Sequence, residues 1–149
     1  MSLEDELKQK EFKSVYHKVV LNVIYTYSVL DNKFKFFFKK FDLTTQQFNI
    51  LRILRGQYPN PATINLLKER MLDKMSDASR IVERLRLKGL VHRKTASGDR
   101  RSVDILISPE GLELLKKIDE PIVEFENSIT KLSEEEAIQL NFLLDKFRG

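Results

Sequence analysis

The 149-residue sequence contains no cysteine, only two histidines and only five glycines. Without cysteine the chain can form no disulfide, no thiol-based redox switch and no cysteine-ligated zinc site. His17 and His92 lie far apart in the sequence, and a lone histidine is more often structural or solvated than a metal ligand. We therefore expect neither a metal nor a cofactor.

The residue patterns that enzymes use are also missing. The sequence has no Ser–His–Asp arrangement, no cysteine nucleophile, no glycine-rich phosphate-binding loop and no histidine-rich metal motif. These absences argue that the protein is not an enzyme.

Long apolar runs are absent as well. Asn22 and several lysines interrupt the most apolar stretch, so no run approaches the roughly 20 residues that span a bilayer. The N-terminus, Met1–Lys8, is acidic and lacks the basic-then-apolar order of a secretory signal. We expect a cytoplasmic, single-domain protein with no membrane partner.

The net charge of +4 is unevenly distributed along the chain. Residues 1–67 carry +4 (10 basic, 6 acidic), residues 68–101 carry +6 (11 and 5), and residues 102–149 carry −6 (5 and 11). Phosphate binding needs positive charge concentrated on one surface, so residues 68–101 are the candidate. The acidic end is expected to point away from it.

Within that basic segment, an amphipathic helix precedes a hairpin. Ile81, Val82 and Leu85 fall at helical spacing, and Gly89 follows where a helix ends best in a left-handed residue. The hairpin is predicted to run from Leu90 to Ile107, with a turn at residues 95–99. The polar helix residues expected to face outward are Ser76, Asp77, Ser79, Arg80, Arg84 and Lys88.

This order is typical of a winged helix, in which a helix enters the DNA major groove and a basic hairpin reaches the minor groove. A surface helix and a charged hairpin in an ordinary α+β domain explain the local pattern equally well. The concentration of basic charge on this segment favours DNA.

The N-terminal segment is predicted to be one helix from about Leu3 to Phe38, with Asp31–Asn32 as a candidate break. Its apolar residues occupy two faces, and the second face needs another element or subunit to cover it. The lysine-interleaved phenylalanines of residues 34–41 could stack on single-stranded nucleic acid. Buried aromatics beneath extended lysines are the simpler interpretation.

Capping signals predict the other helices. Thr44 and Gln47 form a capping box for a helix that ends at Gly56, and Thr63 would cap a short helix, Ile64–Met71. Together with the polar-faced helix that follows, these two helices indicate a helix-turn-helix.

The C-terminal part is predicted to form two helices. Ser108-Pro109-Glu110 begins a helix bent at Pro121, and Ser133–Glu136 is a second capping box. The last helix is expected to bury Ala137, Leu140, Leu144 and Phe147. The surplus apolar faces of the terminal helices indicate a two-fold dimer interface.

Three segments carry a resemblance to a known family: L-T-T-Q-Q-F-N-I-L-R-I-L at Leu43–Leu54, S-R-I-V-E-R-L-R-L-K-G-L-V at Ser79–Val91, and D-R-R at Asp99–Arg101. In this order and spacing they resemble the MarR (multiple antibiotic resistance regulator) family of bacterial transcription factors. The family's closing L-T-x-x-G appears as L-I-S-P-E-G at Leu106–Gly111, with Ser108 in place of the usual threonine.

The resemblance implies a mainly α fold in which a winged helix-turn-helix lobe with a small β-hairpin wing is flanked by dimerisation helices. It implies one domain over residues 1–149: an N-terminal dimerisation helix (1–41), a winged helix-turn-helix (42–108) and C-terminal dimerisation helices (109–149). The implied function is a homodimeric repressor that binds an inverted-repeat operator in double-stranded DNA and is released by a small-molecule effector. A winged helix that docks on a protein is the alternative.

The resemblance also implies roles for wing residues. Arg101 matches the arginine that enters the minor groove, and Asp99 matches the acid that holds it in position. Arg100 is expected on phosphate, and Arg93 and Lys94 are expected to contact only the DNA backbone.

Ser76, Asp77, Ser79 and Arg80 match the exposed N-terminal turns of the family's recognition helix. Arg80 could donate bidentately to guanine, and the serine hydroxyls can serve bases or phosphates. For Asp77, compensating the helix dipole is favoured over reading cytosine. Glu83 and Arg84 are interpreted as an exposed charge cluster.

Many members of the family bind small, often phenolic or aromatic, effectors between the dimerisation helices and the DNA-binding lobe. The candidate lining here is Tyr16, Tyr27, Phe48 and Arg52, with core packing as the alternative. Peroxide sensing through a thiol, which some relatives use, is excluded by the lack of cysteine.

Overall fold

The computed structural model describes residues 1–95 and 102–149, which form a mainly helical chain with one small antiparallel sheet. The helices are α1 (Leu3–Leu7), α2 (Val15–Lys39), α3 (Thr45–Gln57), α4 (Ile64–Arg70), α5 (Ala78–Leu87), α6 (Pro109–Ser128) and α7 (Glu134–Arg148). The strands are β1 (Ala62–Thr63), β2 (Val91–Thr95) and β3 (Val103–Ile107), in the order β1-β3-β2. The predicted mainly α, winged helix-turn-helix fold is confirmed, and strand β1 is an addition to the predicted hairpin.

The predicted helix ends are confirmed where a side chain makes the cap. The Thr44 hydroxyl accepts a hydrogen bond from the Gln47 backbone N–H (3.0 Å), and the Gln47 side chain accepts one from the Thr44 N–H (3.1 Å). Ser133 and Glu136 make the same reciprocal pair at the start of α7. Gly89 follows Lys88, the C-cap residue of α5, and has a positive φ of 75°, which glycine adopts without strain.

The prediction of one helix from Leu3 to Phe38 is wrong. Helix α1 ends at Leu7, Lys8 takes a left-handed conformation (φ 52°), and α2 begins only after Ser14 caps the His17 N–H. The mostly polar residues 9–13 leave little to bury, so nothing holds them in a helix. The candidate break at Asp31–Asn32 is also wrong, since α2 runs unbroken to Lys39.

The core surrounds α3, which packs against α5, α6, β3 and the end of α2. Phe37 and Phe38 are buried there, with the Phe38 ring 4.4 Å from that of Phe48. Phe34 lies edge-on to Phe125 of α6, with ring centroids 5.1 Å apart. Most of the lysine-interleaved phenylalanines are therefore core residues, as the simpler interpretation predicts.

The prediction that α7 buries Ala137, Leu140, Leu144 and Phe147 is wrong within a single chain. No residue of α7, all of which the structure describes, is buried, and Leu140 and Phe147 are 43% and 50% exposed. Ala137 and Leu144 are half-buried, so the rest of the described chain covers this helix only in part. Among the described residues, no helix is both long and apolar enough to cross a membrane.

Candidate nucleic-acid interface and cavity

Helix α5 has one buried and one exposed stripe. Ala78, Val82 and Leu85 point into the core. Because successive helical residues turn by about 100°, the opposite stripe contains Arg80, Arg84 and Leu87, all of them exposed. Helix α5 therefore presents two arginines, one turn apart, to the outside. The prediction that Arg80 and Arg84 face outward is confirmed. Arg84, which had been given no DNA-binding role, lies on the same stripe as Arg80, and their spacing of four residues was the signal for it.

The start of α5 differs from the sequence prediction. The helix begins at Ala78, so Ser76 and Asp77 precede it instead of lying in its first turn. Asp77 is the N-cap residue, and its carboxylate accepts a hydrogen bond from the Arg80 backbone N–H (3.2 Å). Its position suits stabilisation of the helix end. Ser79 and Arg80 are exposed in the first turn, whereas Ser76 is half-buried.

The stem of the wing packs against α5 through alternate residues of β2. Val91 and Arg93 share one face of the strand, opposite Ile107 and Ile105 of β3. Val91 is buried, whereas Arg93 lies at the exposed end of the same face. Lys94 points to the other face, opposite Asp104. The proposed wing residues Asp99, Arg100 and Arg101, with most of the predicted turn, lie outside the described residues.

Glu83 connects α5 to the wing stem. Its carboxylate accepts two hydrogen bonds from Arg86 (3.0 and 2.7 Å) and one from Arg93 (3.4 Å). The Arg86 hydrogen bonds, followed by the charges of Arg86 and Arg93, hold the pKa of Glu83 below its ordinary value of 4.5. The sequence could not indicate this contact, because Arg93 is ten residues away and in a strand.

A cavity of about 770 Å³ lies between α2, α3, α6 and the segment that joins α4 to α5. Phe34, Phe38 and Phe48 form part of its apolar wall, and Tyr27 and Arg52 also line it. The Arg52 guanidinium lies 5.7 Å from the centroid of the Phe48 ring. The lining of this cavity, apolar with one guanidinium, suits a small aromatic molecule with one polar or anionic group.

The structure brings together three of the four residues proposed from the sequence for this cavity. Tyr16 is not among the lining residues: it is 80% exposed and lies eleven residues before Tyr27 on α2, about 16 Å along the helix axis. Asn49 was not predicted from the sequence. This residue lines the cavity, and its side-chain oxygen accepts a hydrogen bond from the Leu72 backbone N–H (2.9 Å).

His17 lies apart from both places, whereas His92 belongs to the wing stem. His92 is exposed on β2, and the His17 Nδ1 accepts a hydrogen bond from the Lys13 N–H (3.3 Å) at the start of α2. Within residues 1–95 and 102–149, no group of three or more potential His, Cys, Asp or Glu ligands surrounds a metal position.

Comparison with known proteins agrees with this geometry. The model of the MarR family matches residues 41–102. The HTH-type transcriptional regulator PecS of Dickeya dadantii (strain 3937) is 32% identical over 111 residues, which cover 73% of this chain and 67% of PecS. A MarR transcription factor from Planctomyces limnophilus is 29% identical with a TM-score of 0.70, covering 91% of this chain and 98% of that one.

A second similar structure concerns regulation of DNA binding of Bordetella bronchiseptica BpsR by 6-hydroxynicotinic acid. It is 21% identical with a TM-score of 0.78, covering 89% of this chain and 99% of that one, and at this identity it shows the fold. The family match and the similarity to PecS account for the exposed arginine stripe of α5 and the basic wing stem, because these are the surfaces that a DNA-binding protein presents to DNA. The chain belongs to the MarR family and is a DNA-binding transcriptional regulator.

Proposed function

We propose that the protein is a homodimeric repressor that binds an inverted-repeat operator and leaves it when a small aromatic effector occupies the cavity. The observation that carries the DNA-binding part is the outward stripe of α5, which places Arg80 and Arg84 beside the basic strand β2. Two copies of this surface related by a two-fold axis would contact two half-sites of opposite orientation.

The uncovered apolar faces of the terminal helices support the homodimer. On α2, Tyr16, Ile24 and Tyr27 are 80%, 60% and 64% exposed, and on α7 Ile138 and Phe142 are 63% and 65% exposed. Large apolar patches of this kind mark association surfaces. In this proposal residues 1–41 and 109–149 form the dimerisation part and residues 42–108 the DNA-binding part, and Tyr16 belongs to the interface and not to the cavity.

The proposed DNA-binding residues have separate roles, and those of Asp99, Arg100 and Arg101, which lie outside the described residues, rest on the family resemblance alone. Arg80 donates to guanine in the major groove, and Ser76 and Ser79 bind bases or phosphates. Asp77 holds the helix end. The wing residues are proposed as phosphate contacts (Arg93, Lys94 and Arg100) and as a minor-groove pair (Arg101 positioned by Asp99).

Selection of bound duplexes from a random DNA pool, at two salt concentrations, tests the DNA-binding part. We expect an enriched inverted repeat with half-site centres about 10 base pairs apart or a multiple of that spacing. Arg80→Gln should change or weaken the enriched sequence, whereas Arg148→Gln on α7 serves as a control that should not. If the protein bound duplexes in a salt-sensitive way without enriching any sequence, the operator proposal would be contradicted. If it bound no duplex at either salt concentration, the protein-docking alternative would be favoured.

The effector part rests on the cavity and its neighbours. The cavity reaches Met71 and Leu72, which precede the DNA-binding helix, and Asn49 holds the Leu72 backbone from the cavity side. A molecule in the cavity could therefore compete for the Asn49 side chain and shift the start of α5. Among the described residues Arg52 has no ion-pair partner, so it is available to an anionic group. The 6-hydroxynicotinic acid that acts on BpsR is of this chemical kind.

Fluorescence anisotropy of the selected duplex tests effector control. Aromatic acids and phenols, including 6-hydroxynicotinic acid, are titrated into the protein–DNA complex, and we expect at least one to release the DNA. Arg52→Gln should lose this response while it binds DNA normally, and Arg148→Gln should keep it. A response that is equal in both variants would remove Arg52 from the site.

A further inference from the structure

Glu83 is the only acid in α5, a helix that otherwise carries Arg80, Arg84 and Arg86. It lies beside the outward stripe on the side of the wing stem, because it is three residues after Arg80 on the helix and its carboxylate contacts Arg93 of β2. An acid at this place repels DNA phosphates. Its presence in the most basic part of a DNA-binding protein therefore needs a physical reason.

Stability is not a sufficient reason. The side chains of Glu83, Arg86 and Arg93 are 40%, 44% and 48% exposed, and exposed ion pairs contribute about 0–1 kcal/mol. The contact instead determines where two arginines point. Arg86 donates through two nitrogens (Nε and Nη2) to both carboxylate oxygens, and Arg93 donates to one of those oxygens from the neighbouring strand.

We propose that Glu83 is a positioning residue of the DNA-binding surface. It withholds Arg86 and Arg93 from the phosphates of DNA of arbitrary sequence and fixes the wing stem against α5, so that the phosphate contact proposed for Arg93 is made on the operator. A guanidinium that donates two parallel hydrogen bonds fits a phosphate as well as it fits a carboxylate. Free of Glu83, both arginines would bind the backbone of any duplex. Such contacts supply most non-specific affinity, so Glu83 lowers non-specific binding relative to operator binding.

The test uses Glu83→Gln, which keeps the size of the side chain and removes its charge. Binding of the full-length protein to a fixed duplex of arbitrary sequence, about 30 base pairs long, is measured over a series of salt concentrations. Each added phosphate contact steepens the logarithmic dependence of affinity on salt by about 0.9. When the salt concentration is lowered fourfold, the affinity of both proteins for the duplex rises. For each arginine released, the rise should be about 3.5-fold larger for Glu83→Gln than for the wild type.

Three further variants distinguish the loss of the Glu83 hydrogen bonds from the loss of one negative charge. Glu135→Gln on α7 makes the same charge change away from the wing and should leave the salt dependence unchanged. Glu83→Asp keeps the charge on a shorter side chain and should behave like Glu83→Gln. Glu83→Gln combined with Arg86→Gln and Arg93→Gln should lose the added steepness, because the released arginines are gone.

Selection from the random pool gives the second readout: the sequence enriched by Glu83→Gln should be less sharply defined than that enriched by the wild type. Equal salt dependence in the wild type and Glu83→Gln would overturn the proposal. A Glu83→Asp protein with the salt dependence of the wild type would also overturn it, because a negative charge at this position would then explain the effect without the hydrogen bonds to the two arginines. Absence of wild-type binding to any duplex would overturn the DNA-binding function itself along with it.

Discussion

Arg55 and Asp119 form a two-pronged ion pair between α3 and α6, with Nη1 to Oδ2 at 2.9 Å and Nη2 to Oδ1 at 2.8 Å. Helix α3 lies at the centre of the DNA-binding lobe, and α6 is the first of the proposed C-terminal dimerisation helices. The pair therefore links these two parts at the surface, where the Arg55 and Asp119 side chains are 32% and 52% exposed.

Asp119→Ala should lower the free energy of unfolding by about 0.5–1 kcal/mol, because a partly exposed pair of good geometry contributes in that range. Urea unfolding at low and high salt measures the change, which should shrink as salt screens the pair. Asp145→Ala removes the exposed partner of Arg148 within α7 and serves as the control, with little expected change. Equal losses in both variants would show that the bridge between helices has no special contribution.

Gly111→Ala should destabilise the protein by about 1–3 kcal/mol, the usual range for an overfilled site. A Cβ atom at Gly111 would overlap the Leu90 carbonyl oxygen and lie 2.7 Å from Ile107 Cγ1, and the backbone oxygen cannot move aside easily. Gly56→Ala in α3 is the matched control: nothing lies within 4 Å, and alanine should stabilise the helix by about 0.5–1 kcal/mol. Thermal unfolding should move the two variants in opposite directions.

Ser108→Ala should lower the free energy of unfolding by about 1–2 kcal/mol. The Ser108 hydroxyl is buried, accepts a hydrogen bond from the Gly111 N–H (3.0 Å) and donates one to the Gly89 carbonyl (2.7 Å), so its loss leaves both ends unpaired. Ser133→Ala removes a similar cap from an exposed site and should have the smaller effect, since water can replace the hydroxyl. A Ser133→Ala loss as large as that of Ser108→Ala would refute the importance of burial.

The stability contributed by Glu83 should depend on pH. Arg86 and Arg93 hold the pKa of Glu83 below 4.5 in the folded protein, so its ionised form favours folding. That contribution is present above the unfolded pKa of about 4.5 and is lost as the pH falls through the folded pKa. The difference in unfolding free energy between wild type and Glu83→Gln, followed by urea titration from pH 7 downward, should therefore shrink in acid. If this difference in unfolding free energy stayed constant with pH, the ionised carboxylate of Glu83 would not be its source.

Local signals in the sequence predicted most of the fold. Thr44 with Gln47, Ser108 with Pro109, and Ser133 with Glu136 each mark a helix start because the cap is made by residues at most three positions apart. Gly89 marks a helix end for the same local reason. The two-residue strand β1 was missed because its pairing partners, Asp104 and Ile105, lie some forty residues further along the chain.

The candidate sites were predicted less completely. Helical spacing identified the outward residues of α5 but placed its start two residues too early, since the Asp77 cap competes with continuation of the helix towards Met75. Tyr16 shares α2 with Tyr27, and only the packing of the other helices determines which end of α2 borders the cavity. The burial predicted for α7 depends on what lies outside one chain, which no intrachain pattern specifies.

Strand β1 limits where the chain can change in length. Ala62 is buried and fixed opposite Ile105, while Thr63 both pairs with Asp104 and caps α4 through the Leu66 N–H (3.2 Å). Deleting or inserting one residue here would turn Ala62 to the opposite face of the sheet and separate the cap from its helix. The exposed link at residues 130–133 has no such double constraint. Insertions and deletions should therefore be tolerated between α6 and α7 and rejected at residues 62–63.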